Sequence, residues 1–108
     1  MLILAVGYDA GDLNRQMEAL EKAGHVVVPA SSLESCLNAI VLGGYRLLLI
    51  GATVPFDDRQ QIASVSKRLR PESHIISVEW PDSPTLKLAD RCIEAGHERE
   101  LIELVMQL

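Results

Sequence analysis

Short apolar runs alternate along this chain with segments of helical period, and that alternation restricts the fold more than anything else in the sequence. "LILAVG" (Leu2–Gly7) is apolar throughout and stops at a glycine, as a strand buried on both faces does. "GDLNRQMEALEKAGH" follows, with Leu13, Met17 and Leu20 at helical spacing, Asp12 as candidate N-cap and Gly24 as the stop. "HVVVPA" (His25–Ala30) is a β-branched second strand, and Pro29 removes a ladder donor, which suits a sheet edge. In "SSLESCLNAIVLGG" Ser31 or Ser32 caps a second helix whose stripe is Leu33, Leu37, Ile40 and Val41. "YRLLLIG" is the most apolar strand and belongs at the sheet centre. "FDDRQQIASVSKRLRPE" is a third helix, capped by Asp57 or Asp58 and ended by Pro71. "SHIISVEW" (Ser73–Trp80) is the fourth strand.

The pattern then weakens. "PDSPTLKLADRCIEAG" carries two early prolines and no long amphipathic repeat, though "LADRCIE" suits a short last strand. "HERELIELVMQL" closes the chain as a helix with Leu101, Leu104, Val105 and Leu108 on one face. Strand–helix alternation of this kind builds a parallel sheet with right-handed crossovers. The expected fold is α/β and flavodoxin-like, in strand order 2-1-3-4-5, which places the proline-bearing second strand at an edge. At 108 residues the chain is read as one domain, residues 1–108, without repeats or linkers.

Charge and cysteines narrow the function classes. The formal charge is −5 and the ten basic residues are scattered, which argues against a nucleic-acid partner. The one basic cluster, "SKRLR" (Ser66–Arg70), sits late in a helix, where cations favour the negative dipole end. Cys36 and Cys92 lie in apolar runs and read as buried free thiols. "MLILAVGYD" reaches Asp9 within one strand length, so it reads as neither a signal peptide nor a membrane span, and the cytoplasm is the expected compartment.

Several strings, in this order and spacing, resemble the receiver domain of two-component response regulators. "LEKAGHVVVPASSLESCLNAI" is similar to the stretch from a receiver's first helix through its second, "LLLIGATVPFDD" to the end of the third strand and its loop, and "RLRPESHIISV" to the approach to the fourth strand. The resemblance covers about residues 1 to 80 and the final helix. It implies a phosphoryl-accepting aspartate at the tip of the third strand, acting as nucleophile. It also implies an acidic pair after the first strand that helps to hold Mg²⁺. A hydroxyl ending the fourth strand and a lysine ending the fifth would bind the phosphoryl oxygens.

This chain departs from that pattern at each place. The acidic pair falls on Gly7 and Tyr8, with Asp9 one position later. The acceptor falls on Gly51, which has no side chain. The hydroxyl falls near Glu79, with Ser77 two residues earlier, and the lysine falls near Ala95. Mg²⁺ would meet Asp9 and Glu79 at most, so no metal, cofactor or catalytic residue is expected. The expectation is a degenerate phosphorylation pocket in a protein that is not an enzyme.

A second departure is one of length. Only sixteen residues, 81–96, separate the fourth strand from the last helix. A receiver places a full helix and a strand there, so that helix should be missing or reduced to a turn around "SPTLK". Its loss should uncover apolar sheet surface beside Trp80, the only tryptophan, which makes Trp80 the interface candidate.

Other signals are weaker. "GYDAGD" follows a strand but lacks the G-x-G-x-x-G spacing of a dinucleotide site. His25, His74 and His97 lie too far apart to suggest a metal cluster, and Cys92 has no orienting partners for nucleophilic catalysis. The expected function is therefore a non-phosphorylatable pseudo-receiver, a signalling module that binds a protein partner or itself as a homodimer. Two alternatives stay open: a regulator binding a small molecule among Gly7, Tyr8, Gly51 and Glu79, and a receiver phosphorylated at an unconventional residue.

Overall fold

A computed structural model describes residues 1–108. Five parallel strands form one sheet in the order β2-β1-β3-β4-β5, as the alternation requires. They are β1 (Leu2–Val6), β2 (Val26–Ala30), β3 (Leu47–Ile50), β4 (His74–Glu79) and β5 (Arg91–Glu94). Helices α1 (Ala10–Lys22), α2 (Leu33–Leu42), α3 (Phe56–Leu69) and α4 (Glu98–Met106) complete the fold. The side-chain period of two along each strand sorts the core into two clusters. Ile3, Ala5, Leu47, Leu49, Ile76 and Val78 pack under α1 and α4. Leu4, Val6, Leu48, Ile50 and Ile75 pack under α2 and α3. Central β3 is buried along its whole length, and Pro29 sits on edge strand β2, where its missing N–H is tolerated.

Local details differ from the expectations at the helix ends and in burial. Asp9, not Asp12, caps α1: its Oδ2 accepts from the Asp12 N–H at 2.9 Å. The cap therefore lies nearly one turn earlier, three residues after the end of β1. Ser32 caps α2 in a reciprocal pair with Ser35. Neither Asp57 nor Asp58 caps α3; Pro55 holds that position and both aspartates lie in the first turn, where they still favour the positive dipole end. Val41 is exposed, because the buried side of α2 runs through Cys36 and Ile40. Both cysteines are free; Cys36 is buried, with its thiol pushed up to about 12 by burial, whereas Cys92 is exposed on edge strand β5.

No helix joins β4 to β5, in line with the short connection. The expected bare patch is nevertheless largely absent. Leu86, midway along the 80–90 loop, turns inward, is only 2% exposed and joins the α2/α3 cluster. The loop is pinned at both ends: in a turn the Trp80 C=O accepts from the Ser83 N–H at 3.0 Å, and the Asp90 Oδ2 accepts from the Ile75 N–H of β4 at 2.7 Å.

Candidate functional site

The C-terminal tips of the strands are where open α/β sheets bind ligands. Gly7, Tyr8, Asp9 and Gly51 converge there. A Cβ built on Gly51 would lie 3.7 Å from Gly7 Cα and 3.0 Å from the Val6 carbonyl oxygen. The sheet is thus drawn in so closely at this tip that even one added carbon is tight. Thr53, on the loop after β3, stitches the two tips together: its Oγ1 accepts from the Tyr8 N–H at 2.9 Å and the Asp9 N–H at 3.3 Å. The Tyr8 hydroxyl donates to Asp58 Oδ2 at 2.9 Å. Burial, together with the Asp58 carboxylate, raises the Tyr8 phenol well above its ordinary range, so it stays a neutral donor. Asp9 directs its carboxylate to the α1 cap. None of the principal cavities is lined by Gly7, Tyr8 or Gly51.

Glu79 is not part of that group. Its β4 register places it with Ser77 on the α2/α3 side of the sheet, against the loop that replaces a helix. There it is 8% exposed, and Oε2 accepts from the Leu86 N–H at 2.9 Å and from Ser77 Oγ at 3.0 Å. The Cys92 thiol approaches the same oxygen at 3.6 Å; burial, then the Glu79 charge, raises the thiol pKa.

The partner of Glu79 is Arg59, which sequence reasoning missed. Arg59 is 4% exposed and its Nη2 lies 3.6 Å from Glu79 Oε2. The guanidinium also donates to Gly51 C=O at 2.7 Å, to Val78 C=O at 2.8 Å and to Ser77 Oγ. Burial lowers the Arg59 pKa and the Glu79 carboxylate pulls it back, so an ion pair with filled hydrogen bonds occupies the space between α3, β4 and the loop. A signal for it exists in the sequence. Arg59, Ile62, Ala63 and Ser66 follow the i, i+3, i+4, i+7 spacing of one buried helix face.

Ala95 directly follows β5, and its N–H donates to the Glu79 C=O at 2.9 Å. Trp80 is 54% exposed and stands over a cleft of about 250 Å³ shared with Val54, Pro55 and Phe56. The second missed residue is Gln16 of α1. Its Oε1 lies 3.5 Å from the position a Gly51 Cβ would take, so its amide lies against the bare glycine. The three histidines form no metal group, and no cluster of three His, Cys, Asp or Glu side chains is placed to hold an ion.

Comparison with solved structures follows from this geometry. The chain is similar to a CheY-like response regulator receiver domain from Methanospirillum hungatei, with TM-score 0.85 and 23% identity over 98% of this chain and 90% of that one. It is similar to the response regulator TrrA from Thermotoga maritima in complex with Mg²⁺ and BeF, with TM-score 0.84 and 20% identity over 98% and 96%. A receiver domain from Clostridium thermocellum superposes with TM-score 0.86 at 16% identity over 98% and 91%. No protein-family model and no curated protein matches the sequence. The fold is the receiver fold.

Proposed function

We propose that this chain is a phosphorylation-independent, receiver-like signalling module that works by binding a protein partner or a second copy of itself in the cytoplasm. The observation that carries the reading is the use of its acids. The β3 tip ends in Gly51, Asp9 caps α1, and Glu79 is held in the loop by Arg59, Ser77 and Leu86. Phosphoryl transfer to a receiver needs a free carboxylate nucleophile and further carboxylates around Mg²⁺. On this reading Gly7, Tyr8, Asp9, Gly51, Glu79 and Ala95 are the remains of a phosphorylation pocket, and the module neither holds Mg²⁺ nor catalyses a reaction.

Partner binding then falls to surface. Trp80, exposed just past the end of β4, supplies an aromatic anchor beside the Phe56 cleft, and Leu88, exposed later on the same connection, an aliphatic one. The test is intact-mass analysis after incubation with acetyl phosphate and Mg²⁺, paired with sedimentation of the wild type and Trp80→Ser. The reading predicts no gain of a phosphoryl group, and a self-associated or partner-bound fraction that Trp80→Ser reduces. A stoichiometric phosphoryl gain would overturn it.

A further inference from the structure

Edge strand β2 is poorly covered. Val26 and Val28 share the α2/α3 side of the sheet with Leu2 and Leu4, their register partners on β1. Of β2, only Ala30 joins the core cluster on that side, and the buried residues of α2, Cys36 and Ile40, belong to the same cluster, built on β1 and β3. Val26 is left 64% exposed and Val28 42%. At the end of α2, Val41 and Leu42 are 62% and 85% exposed. Between strand and helix lies a groove of about 130 Å³ lined by Leu2, Leu4, Val28, Ala39, Leu42 and Tyr45. An apolar cavity of about 150 Å³ holds a benzene-sized molecule, so this groove has room for one aliphatic side chain.

The charge pattern says what covers this face. Charged residues make up 23% of the chain, yet between His25 and Arg46 the single one is Glu34, at the opposite end of α2 from Leu42. The α2 C-terminus is the negative end of its dipole and has no basic residue in its last turn. Arg70 supplies the cation instead, donating to the Ile40 C=O at 3.0 Å and the Val41 C=O at 2.6 Å. Gly43 leaves room for it, since a Cβ there would lie 2.6 Å from the guanidinium carbon. Two copies of a chain with formal charge −5 repel each other least where neither presents a charge. A lipid surface wants Lys and Arg around an apolar patch, and a charged partner would find no row of counter-charges here. Sheet extension is not the mode. The Val26 N–H and the Ala30 C=O are bonded to Met1 and Gly7 at 3.0 Å, so by alternation Val27 and Pro29 turn outward, and Pro29 has no N–H. Side chains must make the contact.

We infer that the β2–α2 face is a two-fold interface between copies of this chain, with each Leu42 seated in the groove of the other copy. An isologous contact needs a surface that is its own complement. Here the protruding leucine and the groove lie side by side on one face, and no charge opposes its own image. The exposed apolar area is on the order of 400 Å², the scale of the largest patch on an ordinary monomer. That is about half of the ~800 Å² per partner of a standard interface, so the dimer should be of micromolar strength, with Kd about 1–100 μM. The face lies at the sheet edge opposite β5 and leaves Trp80 free for a partner. The inference extends the binding reading and does not depend on the state of the phosphorylation pocket.

The experiment combines sedimentation velocity from about 1 to 500 μM, a range that brackets the expected Kd, with an amide NMR dilution series. A dimer is expected, with concentration-dependent shifts at Val26, Val28, Val41 and Leu42. Leu42→Glu places a carboxylate at each of the two contacts and should weaken association about hundredfold. Because Leu42 is 85% exposed, the amide spectrum of that variant should otherwise match the dilute wild type. Leu42→Met, apolar and of similar volume, should hold the Kd within about threefold. A chain that stays monomeric throughout, a dimer indifferent to Leu42→Glu, or shifts gathered at Trp80 instead would each overturn the inference. Monomers that bind phosphatidylcholine vesicles would overturn it too, and give the face to a lipid surface. None of these outcomes bears on phosphoryl gain, which tests the proposed function separately.

Discussion

The β4–β5 side of the sheet and the β3 tip are both places where this chain departs from the receiver pattern, and the two are packed differently. Where the connecting helix is missing, Leu86 fills the gap, and Glu79 and Arg59 make a buried pair whose hydrogen bonds are filled by Ser77, Leu86, Val78 and Gly51. At the β3 tip, Gln16 lies against Gly51 with its amide oxygen unpartnered. The first repair satisfies every group it buries, and a satisfied buried network rigidifies a fold. The second leaves a buried amide oxygen without a donor.

The effects of removing the buried polar residue of each side, Arg59 or Gln16, should therefore differ in sign. The largest effect is expected for Arg59→Ala, which leaves the Glu79 carboxylate buried without its cation and should destabilise the fold by about 3–5 kcal/mol in urea unfolding. Replacing both partners with apolar residues, Arg59→Met with Glu79→Leu, should recover most of that loss. A double variant as unstable as the single one would show that the backbone bonds of Arg59, rather than the charge pair, hold the loop.

Gly51→Asp comes next. Its Cβ would press on the Val6 carbonyl oxygen at 3.0 Å, a backbone atom with little freedom to move. A loss of about 1–3 kcal/mol is expected, without gain of phosphorylation by acetyl phosphate, because Asp9 and Glu79 remain engaged elsewhere. An efficient phosphoacceptor created by this one change would mean that the tip is far less remodelled than its contacts indicate.

Gln16→Met should move stability the other way, raising it by about 1 kcal/mol through removal of a buried unpartnered amide. A stabilising change on the α1 side beside a destabilising one at Arg59 would sharpen the contrast; destabilisation by Gln16→Met would erase it.

The smallest effect concerns pH. Burial of Asp90 favours its neutral form, but the Ile75 N–H at 2.7 Å and Lys67 at 3.1 Å outweigh it and hold its pKa below the ordinary value. A carboxylate lowered by folding contributes stability above its unfolded pKa, near about 4, and loses it as pH falls through the folded value. Amide exchange at Ile75 and Leu86 should therefore speed up below about pH 4 ahead of exchange in β1 and β3. Uniform loss of protection across the sheet would contradict that role for Asp90.

The fold was legible because the strands carry their signal as unbroken apolar runs and the stops fall on Gly24, Gly43 and Gly44, all with positive φ. The bare β3 tip was legible too, since Gly51 is plain in the sequence. The buried polar residues were hidden by residue type. Arg59 in "FDDRQQ" reads as a solvated charge, and Gln16 beside Met17 competes for the same stripe, so only helical spacing marks either as inward-facing. Cys92 was misplaced for the opposite reason: "RCIE" alternates, and the apolar Ile93 is the inward residue. The loop's repair by Leu86 depends on a contact with Glu79, seven residues back, that no helical or strand period encodes.

The central claim is that the strand tips no longer carry a phosphoryl switch. An amide NMR titration with Mg²⁺, followed by beryllofluoride as the phosphoryl mimic, tests it most directly. The account predicts no saturable shifts at Asp9, Gly51 or Glu79. Saturable shifts at those residues, together with rearrangement around Leu86, would contradict it and establish a working anion site where the acids are otherwise engaged.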